Sequence, residues 1–356
     1  MKKLSRVILL LGLGTAVILA APVDAENVAD LSGPPLSQAE MLARVSALID
    51  EQVKADLFSG VVLLAQEGQV LLHEARGLAS SEYNAANRPD TRFNLGSINK
   101  IFTRVAIGQL LEGKKLSLDD PIKKFLPDYP NPEAAEKVTV RQLLDMTSGI
   151  GDFFGKKYVE TPKDRLRSLS DYLPLFANEP LLFEPGSNRR YSNGGYVVLG
   201  LIIEKASGKS YGDYVRDNIY QPAGMEATSH LDADIPAANV ASGYTRFWDE
   251  GDHAAEPRRN NLYTRPARGS SAGGGYSTAA DMLRFALALK AGKLLGPLTR
   301  EWFNGPQAYA GGAPGINAEL DIEPVPGWTV VVMGNYDPPA ANNLAQKIEI
   351  LLKRMR

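Results

Sequence analysis

The sequence predicts an α+β fold: one antiparallel sheet built from both chain ends and flanked by the terminal helices, with a mostly helical region between. Two sets of observations carry that expectation. Near the N-terminus, Gly60-Val61-Val62-Leu63-Leu64-Ala65-Gln66 and Gln69-Val70-Leu71-Leu72-His73 are apolar runs joined by the turn Glu67-Gly68, the pattern of a hairpin. Near the C-terminus β character returns, with Ile316 to Ile322 alternating and Trp328-Thr329-Val330-Val331-Val332-Met333 continuously hydrophobic. Strands at opposite ends of a chain satisfy their backbone groups by pairing, so the simplest arrangement is a single sheet made from both ends.

Taken in order, Met1 to Ala25 reads as a secretory signal. Lys2, Lys3 and Arg6 give a basic start, Val7 to Ala21 is uncharged and apolar, and Val23-Asp24-Ala25 offers small residues for a peptidase. The run is short of the roughly 20 residues a spanning helix needs. The expectation is therefore a periplasmic or secreted protein with no stable membrane insertion after signal cleavage. Residues 26–36 are polar and proline-rich, a flexible arm. Residues 37–356 then form the domain, its α/β part from about 37–95 and 295–356 and its helical part from about 96–294. Ser37 to Leu57 is an amphipathic helix with Met41, Val45, Leu48 and Ile49 inward, and further helices are expected at 139–147, 164–178, 194–207, 210–219 and 278–291. Ala340 to Met355 closes the chain as an amphipathic helix.

Composition narrows the function classes. A 356-residue chain that is 44% hydrophobic and 22% charged has ample core for an ordinary globular protein. A net charge of −2 gives no electrostatic case for nucleic acid. The absence of cysteine excludes disulfides, thiolate metal sites and a lipid-modified cysteine anchor. The three histidines, His73, His230 and His253, are scattered, so neither a metal nor a cofactor is expected.

The chemistry centres on Phe93-Asn94-Leu95-Gly96-Ser97-Ile98-Asn99-Lys100, which opens a helix whose apolar residues recur at 98, 101, 102, 105 and 110. Three positions apart on a helix, Lys100 can reach the Ser97 hydroxyl. A serine needs an adjacent base to become a nucleophile, and a lysine becomes that base when burial strips its proton. The plain alternative is that Ser97 caps the helix and Lys100 is solvated. In the loop Glu184 to Tyr196, Tyr191 and Asn193 stand two apart before a buried helix. The phenol can relay a proton there, and the amide can grip a substrate carbonyl and the lysine. The alternative is a packed tyrosine and a capping asparagine, and Tyr129-Pro130-Asn131 has the same spacing in a proline-rich turn. In Tyr309-Ala310-Gly311-Gly312-Ala313-Pro314-Gly315, Gly311 and Gly312 read as the entry to a strand and let a substrate lie close to it. A strand N–H there with that of Ser97 would make an oxyanion hole, and the alternative is a glycine-rich turn with no catalytic role. Gly269-Ser270-Ser271-Ala272-Gly273 fits the Gly-x-Ser-x-Gly elbow of another hydrolase fold, but every histidine precedes Ser271, against the required order.

With these motifs the chain resembles the serine β-lactamase and penicillin-binding-protein superfamily, specifically its class C-like branch with family VIII esterases and D-stereospecific peptidases. The matches are Ser97-Ile98-Asn99-Lys100 and Tyr191-Ser192-Asn193. Leu143 to Ile150, Phe183 to Gly186, Ser277 to Met282, Gly312 to Gly315 and Val332 to Asn335 support them. The resemblance implies Ser97 as acylated nucleophile, Lys100 as its base, Tyr191 as proton relay and base for deacylation, Asn193 as orienter, and the N–H groups of Gly312 and Ser97 as the oxyanion hole. Where the family's third motif carries Lys or His, this chain has Tyr309, whose phenol brings no charge. That departure favours small esters as substrates over carboxylate-bearing peptides and β-lactams, unless an arginine such as Arg268 restores the charge. The expected activity is a carboxylesterase acting through an acyl-enzyme. The alternatives are a D-Ala-D-Ala carboxypeptidase, a D-aminopeptidase, a β-lactamase, or a penicillin-recognising module that acylates without turnover.

Overall fold

A computed structural model describes residues 33–248, 251 and 253–355, so the expected signal segment and most of the arm lie outside the described residues. Five strands form the main sheet: β1 (Gly60–Gln66), β2 (Gln69–Arg76), β3 (Gln307–Ala313), β4 (Ile316–Ile322) and β5 (Trp328–Gly334). Their order is β2-β1-β5-β4-β3, antiparallel throughout. The two chain ends meet between β1 and β5, from Gly60 opposite Gly334 to Gln66 opposite Trp328.

Alternation along these strands divides the core. Val62, Leu64, Val330 and Val332 pack under α1 (Gln38–Lys54) and the C-terminal helix (Ala340–Leu352), against Met41, Val45, Ile49, Leu344, Ile348 and Leu351. Val61, Leu63, Val331 and Met333 face the helical region. Each such fully buried side chain contributes roughly 1.5–3 kcal/mol. Helix α1 starts where Ser37 and Glu40 cap each other's backbone N–H groups. The end of the arm is tied down, since Leu36 is buried and donates its N–H to Arg354 O at 2.8 Å.

The helical region holds α2 (Lys100–Glu112), α3 (Asn193–Ser207) and α4 (Ala279–Lys290), counting the C-terminal helix as α5. Three expectations are corrected. The helix expected over 164–178 is broken, because Ser168 and Asp171 cap a new turn at Leu169–Tyr172 and Pro174 opens a separate short helix, Leu173–Phe176. The stretch 210–219 divides into Tyr211–Val215 and a π turn, Arg216–Tyr220. The glycine-rich segment that read as the entry to a strand is itself the edge strand β3, because ladder bonds need only backbone and its apolar content is low.

What positions the site is the seam between the two parts. Phe93–Asn94 pairs with Tyr276–Ser277, and Leu95 N–H donates to Gly275 O at 2.8 Å. The chain reaches Ser97 already clamped to the loop that precedes α4.

Candidate active site

Gly96 sets the nucleophile's position. Its φ of +50° suits glycine, and a Cβ there would lie 2.8 Å from Gly312 N, so the turn rests directly on β3. Gly96–Asn99 is one turn of 3₁₀ helix running into α2. In that tighter winding positions i and i+3 eclipse, which stacks Ser97 over Lys100. The Ser97 hydroxyl caps no backbone group. Instead it accepts from Tyr191 OH at 2.6 Å and lies 3.1 Å from Lys100 Nζ. The capping alternative is thereby excluded.

Lys100 is 7% exposed. Burial pulls its pKa from the ordinary 10.5 down to about 7, with the Asp152 carboxylate acting the other way. Nζ also bonds Asn193 Oδ1 at 2.7 Å and the Ala272 carbonyl. A neutral amine has two N–H groups and one lone pair. With both N–H groups directed at these two oxygens, the lone pair is left facing Ser97 Oγ.

Tyr191 and Asn193 are brought to the same point by the start of α3. The cap of that helix is Ser192, whose Oγ accepts from Gly195 N–H at 2.8 Å, so the asparagine amide is free for the site. Asn193 Nδ2 donates to Asp152 Oδ2 at 2.7 Å, which fixes the amide with its oxygen toward Lys100. Burial pushes the Tyr191 phenol up to about 12. It is therefore a proton donor in the resting site, where its O–H points at Ser97 Oγ. Tyr129-Pro130-Asn131, by contrast, stands apart from the site, with Asn131 capping the short helix Pro132–Lys137.

Ser97, Asn193 and Gly312 line a cavity of about 90 Å³, together with an aromatic wall of Phe153, Phe154, Tyr158 and Tyr172. Of the strand residues expected to touch substrate, only Gly312 reaches this cavity. Gly311 is a packing position, where a Cβ would lie 1.9 Å from Leu95 O. The Tyr309 hydroxyl donates to Gln307 Oε1 at 2.9 Å and bonds none of Ser97, Lys100, Tyr191 or Asn193. Arg268 is also placed elsewhere, held by Asp232 at 2.7 Å. Among the described residues no group of three or more His, Asp or Glu is placed to hold a metal ion.

Residues 45–346 match the Beta-lactamase family. The chain belongs to that family. A penicillin-binding protein of Bacillus subtilis is 37% identical over 173 residues, covering 48% of this chain and 38% of that protein's length. Esterase EstB of Burkholderia gladioli is 30% identical over 284 residues, covering 72% of each. The crystal structure of a penicillin-binding protein from Bacillus halodurans superposes with a TM-score of 0.76 at 31% identity, covering 85% of this chain and 98% of that one. The resemblance read from the motifs is thus upheld: the chain belongs to the serine β-lactamase and penicillin-binding-protein superfamily, class C-like, with that superfamily's fold.

Two members of the site were missed in the sequence. Asp152 follows Gly149-Ile150-Gly151, a loop with no regular period to place it. The Ala272 carbonyl lies in Gly269–Gly273, which drew notice only as a serine elbow and serves here through its backbone.

Proposed function

We propose that the protein is an exported carboxylesterase that hydrolyses small esters through an acyl-enzyme on Ser97. One observation carries the reading: Ser97 Oγ lies 3.1 Å from a buried amine whose pKa is near 7 and 2.6 Å from a protonated phenol. Neutral Lys100 takes the Ser97 proton as Oγ attacks the ester carbonyl. The new Oγ–C bond forms, and the developing oxyanion is met by the N–H groups of Gly312 and Ser97. The C–O bond to the alcohol then breaks, and the Tyr191 phenol supplies the proton the leaving oxygen needs. The proton held on Lys100 restores the phenol. Water attacks the acyl-enzyme in the second half, with Lys100 again the base and Ser97 the leaving group. Asn193 and Asp152 hold the amine's orientation throughout.

Small esters are favoured because β3 carries no cation from Gln307 to Ala313 and because EstB, an esterase, matches over most of both chains. The similarity to penicillin-binding proteins favours a second reading, acylation by D-Ala-D-Ala peptides or β-lactams. The basic start and apolar run of Met1 to Ala25 support export to the periplasm or beyond. Among the described residues no helix is long and apolar enough to cross a membrane.

The experiment is hydrolysis of p-nitrophenyl acetate and butyrate beside nitrocefin and a D-Ala-D-Ala peptide. Wild type would be compared with Ser97→Ala, Lys100→Ala and Tyr191→Phe. Ester turnover is expected to fall about 10²–10⁴-fold when either proton-handling group is removed. Turnover that survives Ser97→Ala ends the proposal, and nitrocefin or peptide turnover exceeding that of esters moves it to the second reading. Fractionation of the host organism's cells tests export, a cytoplasmic pool of uncleaved chain being the adverse result.

A further inference from the structure

The cavity in front of Ser97 has one cation in its lining, Arg265. It is half-buried, it also lines the neighbouring groove that runs past Val159 and Tyr263, and no described residue bonds or ion-pairs with it. The nearby cations differ in this respect. Lys163 is satisfied by the carbonyls of Tyr158 at 2.6 Å and Thr161 at 2.7 Å. Arg167 pairs with Asp234 at 2.6 Å, and Arg268 is held by Asp232 at 2.7 Å.

A guanidinium that no described residue pairs with, in a partly desolvated position, gains more from an arriving anion than a solvated one does, and its planar fork matches a carboxylate in two parallel hydrogen bonds. Beside it stands an apolar wall in which the rings of Phe153 and Phe154 lie 4.4 Å apart and those of Phe154 and Tyr158 4.8 Å apart. The cavity therefore offers one positive point on an aromatic background, within the same lining as the nucleophile.

We propose that Arg265 is a specificity-determining residue that binds a carboxylate on the substrate, so that the preferred esters carry an anionic group together with an apolar body. The inference rests on the reading of Ser97 as an esterase nucleophile and names the substrate class of that site. It also places the charge that the strand lacks at a position unrelated to Tyr309.

Two matched ester pairs test it. p-Nitrophenyl valerate against mono-p-nitrophenyl glutarate puts the carboxylate on the acyl side. p-Nitrophenyl acetate against 4-acetoxy-3-nitrobenzoate puts it on the leaving group. Spontaneous hydrolysis is subtracted using Ser97→Ala. Wild type is expected to favour the anionic member of at least one pair, and Arg265→Gln to lower kcat/KM for that member about tenfold more than for its neutral match, through KM. Arg265→Lys should restore part of the preference, and added salt should weaken it. Equal rates for both members of both pairs in wild type, or an equal loss on both in Arg265→Gln, overturns the inference while leaving the esterase reading intact. If wild type hydrolyses none of the four, the esterase reading fails. The subsite is then judged by calorimetric titration of 4-nitrobenzoate, and equal affinity in wild type and Arg265→Gln rejects it.

Discussion

The catalytic consequence of Lys100 is set by two carbonyl oxygens and the charge of Asp152. Asn193 Oδ1 and the Ala272 carbonyl occupy the amine's N–H groups, and the Asp152 carboxylate opposes the pKa depression that burial causes. Only the neutral amine accepts the Ser97 proton, so kcat/KM on a neutral ester should rise with pH through a value near 7. Asp152→Asn removes a negative charge that favours the ammonium. That limb should therefore move to lower pH, while an amide oxygen at 152 still accepts from Asn193 Nδ2 and limits the loss at the optimum to about tenfold. A pH–rate profile of the variant checks both, and an unmoved or raised limb would contradict the assigned charge effect. Ser97 and Lys100 were legible in the sequence because their relation is local, one turn apart on a chain with helical periodicity. Asp152 was not, because its partner is 41 residues away and its loop repeats nothing. Tyr309 was misjudged for a related reason. Alignment to a motif fixed its place on the strand but not the direction of its hydroxyl, which goes to Gln307.

The elements matter through how closely their starts approach one another. Helix α3 begins against the loop that carries Asp152, and a Cβ at Gly194 would lie 2.4 Å from Gly151 O and 2.8 Å from the Phe176 ring. Gly194→Ala must push that loop away, so it should cost about 1–3 kcal/mol of stability and lower kcat/KM by spreading Asp152 from Asn193. Gly212, in the short helix Tyr211–Val215, has nothing within 4 Å of the corresponding position. Gly212→Ala should instead raise stability by about 0.5–1 kcal/mol and leave activity alone. Thermal melts and ester kinetics on the pair check the contrast, and a milder effect at Gly194 than at Gly212 would refute the packing argument. Helix α1 was readable because burial follows its period, and α3 because an unbroken apolar run, buried from Asn193 to Ile203, is too long for a strand. The region 164–178 was not, since its caps at Ser168 and Asp171 and the proline at 174 cut a pattern that remains apolar throughout. Strand β3 left no periodic signal for the opposite reason, having little apolar content of its own, and only the motif pointed to a strand there.

At the scale of the molecule, the sheet carries a buried pair of acids away from the site. Asp321, on β4, is pushed up to about 8, chiefly by burial and then by its neighbour Glu319, whose own pKa burial also raises. An unfolded aspartate titrates near about 3.9, so between these values the folded protein holds a proton that the unfolded chain does not. The group's contribution to stability is full below about pH 4 and is lost as the pH rises toward 8. Asp321→Asn, neutral at every pH, should match wild type only near pH 4 and below and melt progressively higher than wild type as the pH rises to 9, by at least several degrees, a difference calorimetry would read. Equal melting temperatures at pH 9 would show that the acid is not held protonated. The general architecture was legible because both ends of the chain carry β patterns that need each other, whereas the strand order was not, since pairing across some 270 residues leaves no local trace. That pairing has a consequence for how the protein is made. The middle strand of the sheet, β5, lies about 260 residues after β1, so the hairpin near the N-terminus has no neighbour on its inner edge until those intervening residues have been made. A polypeptide built in this way stays open while it is being translated, which suits a protein that, as we propose, must be threaded through a translocon before it folds.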